Sequence, residues 1–128
     1  MAEGLREGES ATAFTAALEK LGRRVPGTIG AIFTAGDGEC VDYWCASDPF
    51  KLKLMGAHAS LLLQFLAGSR LAPFGLLGVS ARRTTLWIRP LGERYVLTLA
   101  LDHRTWSPGI EEAIEQAVAE ISTEAALA

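Results

Sequence analysis

The apolar residues of this chain recur with two periods, and each change of period marks an element. Over residues 11–24, Phe14, Ala17, Leu18 and Leu21 follow the steps of a helix, with Arg23 and Arg24 in the last turn, where cations suit the dipole. Val25-Pro26-Gly27 ends it. Residues 28–35 (TIGAIFTA) are an apolar run of strand length, expected to be buried on both sides. Gly36-Asp37-Gly38 predicts a tight turn, and residues 39–47 a returning strand rich in Val, Tyr and Trp. A long helix follows at 49–68. Residues 75–82 predict a third strand of mostly small side chains. Residues 84–90 alternate, with Leu86 and Ile88 on one face and Trp87 and Arg89 on the other. Residues 95–102 are nearly all apolar, as a central strand would be. Ser107 is the expected cap of a last helix with Pro108 at its first position and Glu111 and Glu112 early. Its Ile110, Ala113, Ile114, Ala117, Val118 and Ile121 make one stripe. The order α-β-β-α-β-β-β-α predicts an α+β fold, a five-stranded antiparallel meander with helices on both faces. Residues 1–10 are expected to be a flexible lead-in, 11–122 the domain and 123–128 a tail.

The helix at 49–68 departs from the usual amphipathic pattern. Asp48 is its expected N-cap, Pro49 its first residue and Gly68 its close. Leu52, Met55, Ala59, Leu62, Leu63 and Leu66 make one apolar stripe. Leu54, Leu61 and Phe65, with His58 among them, make a second, roughly 110° around the helix. Only Lys53, Ser60, Gln64 and small neighbours offer a polar side. Burial of a Leu or Phe side chain is worth roughly 1.5–3 kcal/mol, so leaving the second stripe in water forfeits roughly 5–9 kcal/mol. That is comparable to a whole domain's stability. The simplest cover is the same helix of a second copy across a two-fold axis.

At 128 residues and 49% hydrophobic, the chain can bury a core without disulfides or metals. A net charge of −3 gives no electrostatic footprint for nucleic acid. No apolar run approaches the length of a membrane span, and the charged N-terminus, MAEGLREGES, lacks the apolar centre of a signal peptide. Cys40 and Cys45 share a predicted strand five residues apart, which points them to opposite faces and keeps them from pairing or chelating. These features favour a reducing cytoplasm. His58 suits either a pH-sensitive interface group or, as preferred here, a hydrogen-bonded interface histidine. His103 follows Asp102, but strand neighbours point opposite ways and cannot orient each other for base catalysis. The histidines and cysteines are scattered, so no metal site assembles, and neither G-x-G-x-x-G nor G-x4-G-K-[ST] occurs. No cofactor is expected. Arg82, Arg83, Arg89, Arg94 and Arg104 fall near strand ends and turns, as solvated residues or as contacts for an acidic partner, with Arg82, Arg83 and Arg89 the candidates for contact. Trp44, Trp87 and Trp106 are assigned to sheet packing.

Several of these residues carry a family likeness. The VPG closing the first helix, Gly30 in the first strand, the Gly-Asp-Gly hairpin, the long helix and the RPLGERYVLTLALD hairpin occur in the order and spacing of the Roadblock (dynein light chain) family, which residues 12–122 resemble. The resemblance implies a profilin-like antiparallel sheet, with the long helix on one face and the terminal helices on the other. It implies dimerisation through that helix and the third strand, and a role as scaffold or regulator of Ras-like small GTPases or as a dynein-associated light chain. The expected dimer interface is then Leu54, His58, Leu61 and Phe65 with Leu76, Gly78 and Ser80 of the third strand.

Two functions compete. One is a non-enzymatic homodimeric adaptor for a Ras-like small GTPase. The other is a small-molecule sensor, because related antiparallel folds hold ligands between sheet and helix.

Overall fold

The nearly continuous apolar run Tyr95–Asp102 (β5) occupies the middle of a five-stranded sheet, where both of its faces are covered. It pairs with Thr28–Ala35 (β1) on one side and Thr84–Leu91 (β4) on the other. Cys40–Cys45 (β2) and Leu77–Ser80 (β3) form the edges, giving the order β2-β1-β5-β4-β3, antiparallel throughout. The helices are Thr15–Arg24 (α1), Pro49–Leu66 (α2) and Ile110–Ala125 (α3). The structure, a computed structural model, describes residues 12–66, 75–92, 94–102 and 108–125. Gly68, His103, Arg104, Trp106 and Ser107, to which the sequence assigned a helix end, a base, a cation, an aromatic contact and a cap, lie outside the described residues.

The eight elements follow the expected order, but the strands do not form the expected meander. A meander would set β2 beside β3, whereas they lie at opposite edges. α2 runs along β1 rather than across the sheet: Leu52 near its start lies against Gly30, Ser60 shares a hydrogen bond with Thr34, and Gln64 near its end reaches the Gly36 carbonyl.

One face of the sheet is covered by α1 and α3. Phe33, Trp44, Leu97, Leu99 and Leu101 meet Leu18 and Leu21 of α1 and Ile114 and Ile121 of α3. Phe14, Phe33 and Tyr95 form an aromatic row with successive ring centres 5.1 Å apart. Asp42 of β2, almost fully buried, holds the start of α1. Thr15 donates its hydroxyl to it at 2.6 Å, Thr12 does the same, and the amide of Tyr43 donates at 2.7 Å. A carboxylate there also suits the positive end of the helix dipole. Among the described residues the other face is covered by α2 alone, over Ile32, Tyr43, Cys45, Ala100, Ile88 and Val96.

Cys40 and Cys45 do not point to opposite faces. A bulge in β2 opposes Phe33 to Asp42 but Thr34 to Cys40, so Val41 is the extra residue. One added residue reverses the alternation beyond it, and both thiols pack on the α2 side. The bulge follows a tight turn in which Gly38 has φ 95°, a conformation open to glycine at little cost.

α1 sits close on the sheet because Gly22 has no side chain. A methyl group there would lie 2.2 Å from Cζ3 of the Trp44 ring, which is buried and flanked by the Arg23 guanidinium at 5.8 Å. Gly22→Ala should therefore destabilise the chain. Overpacking costs typically about 1–3 kcal/mol, more than the roughly 1 kcal/mol a helix gains from replacing glycine. Urea unfolding should show a lower midpoint at unchanged slope, and a raised midpoint would mean that the contact is loose.

Candidate self-association and docking surface

α2 begins where the sequence places it. The Asp48 carboxylate accepts the amides of Phe50 at 3.0 Å and Lys51 at 3.4 Å, satisfying two of the donors that a helix start leaves open. Its buried face is drawn from small residues as much as large ones: Leu52, Gly56, Ala59 and Ser60. A Cβ on Gly56 would come 3.0 Å from Ile32, and one on Gly30 would come 2.7 Å from Leu52, so helix and strand approach closely. Ser60 is not on the polar side as expected. It is fully buried, shares a hydrogen bond of 2.9 Å with Thr34, and lies 3.3 Å from the Ala35 carbonyl. A short hydroxyl fits a site too narrow for Leu and satisfies a buried threonine. The polar flank is formed by Lys53, 4.9 Å from the centre of the Tyr43 ring, and Gln64, which donates to the Gly36 carbonyl at 2.5 Å.

The second stripe faces away from the sheet and is exposed: Leu54 47%, Leu61 55% and Phe65 83%. His58 is exposed beside it. Phe50, at 72% exposed, extends the stripe by one turn. It was outside the predicted stripe, although its four-residue step to Leu54 was the available signal. Four large apolar side chains on one helix face make the kind of contiguous patch that marks an interaction site.

β3 adds an edge. It pairs with β4 on one side only, and among the described residues no strand lies along its other side. The three β3 residues predicted for the interface do not share the face of the α2 stripe. Gly78 and Ser80 lie on the opposite face, Gly78 against Trp87 and Ser80 3.4 Å from the Thr85 hydroxyl. Leu76 packs against the α1–α3 core. Leu77 and Val79 point to the α2 side instead, into the cluster of Ala59 and Ile88. What β3 presents next to α2 is its free backbone edge.

The arginines are not one cluster. Arg82 and Arg83 are exposed in the β3–β4 turn. Arg89 points to the other face, where its guanidinium grips Glu115 of α3 with two bonds, 2.7 and 2.9 Å long, and also donates to the Pro90 carbonyl. Hydrogen bonding to Glu115 raises the Arg89 pKa, and the bond from Arg89 lowers that of Glu115. Among the described residues no group of His, Cys, Asp and Glu is placed to hold a metal, and no helix is long and apolar enough to cross a membrane.

Neither a protein-family profile nor a curated protein matches the sequence. Solved structures do. The gliding protein MglB of Thermus thermophilus superposes with a TM-score of 0.78 at 17% identity, over 98% of this chain and 97% of that one. A Roadblock/LC7 domain from Streptomyces avermitilis gives 0.73 at 21%, over 85% and 94%. MglB of Myxococcus xanthus gives 0.74 at 16%, over 91% and 97%. The chain has the Roadblock/LC7 fold. In this fold Ala59, Leu62 and Leu63 of the long helix pack with Leu77 and Val79 of β3.

The Arg89–Glu115 pair ties α3 to β4, and its contribution follows the charge of Glu115. A carboxylate whose pKa is lowered by folding stabilises the fold above its unfolded value, near 4.3, and that gain is lost as pH falls through the lower folded value. Glu115 is half-exposed, so solvent screening limits the pair to roughly 0.5–1 kcal/mol. Glu115→Gln should lower stability by about that amount at pH 7, with the gap to wild type narrowing as pH falls below about 4. An unchanged gap across that range would refute a charge-based role.

Proposed function

We propose that this Roadblock-type chain is a non-enzymatic homodimeric adaptor that binds a Ras-like small GTPase in the cytoplasm and regulates or tethers it. The observation that carries the proposal is the exposed apolar stripe Phe50, Leu54, Leu61 and Phe65, which needs a cover that the chain itself does not provide among its described residues. A second α2 supplies one at no cost in new sequence. The family likeness supplies the class of partner. Such a partner already owns its phosphate-binding loop and Mg²⁺ ligands. Phosphoryl transfer is largely positioning and electrostatics, so a bound protein can alter it by holding the switch loops. No group from this chain needs to enter the reaction.

The sensor alternative requires room between α2 and the sheet. The close seating of Gly56 on Ile32 and of Ser60 on Thr34 leaves little there, which favours the adaptor. Within the docking proposal, Arg82 and Arg83 are the cations offered to a partner, while Arg89 is engaged by Glu115.

Light scattering after size exclusion should give about twice the 13.7 kDa of one chain. Titration with the cognate GTPase should show tighter binding of the GTP-analogue state, in which the switches are ordered. Arg82→Glu with Arg83→Glu should weaken that binding about tenfold or more while the dimer persists. Equal affinity for both nucleotide states would leave a plain scaffold, and absence of binding to any Ras-like protein of the same cell would return the weight to the sensor.

A further inference from the structure

The exposed stripe of α2 reads the same in both directions. Phe50 and Leu54 are four residues apart, Leu61 and Phe65 are four residues apart, and the midpoint of the set falls between Ala57 and His58. At 100° per residue the four apolar side chains lie within about 60° of arc. A palindrome on a helix is self-complementary under one operation, a two-fold axis through its midpoint with the helices antiparallel. That register sets Phe50 against Phe65 of the partner subunit and Leu54 against Leu61 of the partner subunit. It places His58 within half a helical step of the axis, on the flank of the seam, and the axis carries it to the same flank on the partner.

We propose that His58 meets His58 of the partner subunit at the centre of this seam, so that the α2 pair is closed at neutral pH and opened by acid. This rests on the homodimer proposed above and assigns the control of that interface.

The charged groups around His58 support the sign. Its own helix carries Lys51 and Lys53 and no carboxylate. β1, beneath the helix, has no charged residue. Asp42 of β2 faces α1, and Asp102 lies at the exposed end of β5, beyond the start of the helix. Asp37 and Glu39 belong to the β1–β2 turn, which approaches α2 at Ala57, on the flank away from His58. The mate brings only a second copy of the same set. Among the described residues no acid is therefore placed to neutralise a protonated imidazole at the seam. Two imidazolium ions there repel each other and lose hydration against Leu54 and Leu61. The dimer binds fewer protons than two monomers, so association weakens as pH falls.

Sedimentation equilibrium of the full chain at pH 7.5, 6.5 and 5.5, at constant ionic strength, tests this, with circular dichroism at each pH to confirm an unchanged fold. The dimer Kd should rise between about tenfold and a hundredfold from pH 7.5 to 5.5, the upper figure being two sites whose protonation is fully excluded from the dimer. His58→Gln should dimerise at pH 7.5 and flatten the profile to within about threefold. His58→Lys, a permanent cation at an exposed position that the fold does not need, should weaken the dimer at every pH. A wild-type Kd that does not change with pH, or a pH dependence kept by His58→Gln, overturns the role of His58 and leaves the dimer standing. A wild-type chain that is monomeric at pH 7.5 at micromolar concentration overturns the dimer itself.

Discussion

The structure depends on the seating of α2 on the sheet through a face of small residues. Gly56, Ala59 and Ser60 let the helix backbone approach Ile32 and Thr34 closely, with Leu52 as the large anchor. A helix held this close has little need of its remaining large side chains for the core. Phe50, Leu54, Leu61 and Phe65 are therefore left outward, where water is an unfavourable neighbour. The same choice of residues thus creates a stable layer inside the chain and an unsatisfied one outside it.

The rest of the domain accommodates that helix. α2 follows β1, from Gly30 at the helix start to Gly36 at its end, and the chain re-enters the sheet at the far edge as β3 and winds back through β4 to place β5 beside β1. The opposite face needs two helices, each fixed by a contact between distant residues. Asp42 holds the start of α1 through the Thr12 and Thr15 hydroxyls, and Glu115 holds α3 to Arg89. The two edges differ in consequence. β2 is interrupted by a bulge at Val41, which discourages pairing, whereas β3 is short, regular and, among the described residues, open on its outer side. Openness at β3 and exposure on α2 fall on adjoining parts of the surface.

Period and punctuation made the elements legible. The strand periods identified β1, β4 and β5, and Asp48-Pro49 located the start of α2. The two-sided stripe of that helix was visible from spacing alone. The strand order was not legible, because it depends on which strands meet after the helix, and no local pattern encodes that. The bulge that brings Cys40 and Cys45 to one face depends on a single unpaired residue in the register. Ser60 read as solvent-facing because hydroxyls usually are, while its partner Thr34 lies on another element. Arg89 read as available for the same reason, its carboxylate being 26 residues away on α3. In each case the missing information was a contact between elements.

Central to the proposed assembly is the pairing of α2 with its own copy in the palindromic register. The most direct measurement is the dimer Kd of three variants at pH 7.5: Leu54→Glu, Leu61→Arg, and the two substitutions in one chain. Both positions are exposed in the single chain, so the fold should survive all three. Each single change buries an unpaired charge at the seam and should raise Kd a hundredfold or more. In the combined variant each new carboxylate faces a new guanidinium across the axis, and Kd should recover at least tenfold relative to either single change. A combined variant that associates no better than the single ones would contradict the register and, with it, the pairing of α2 proposed here.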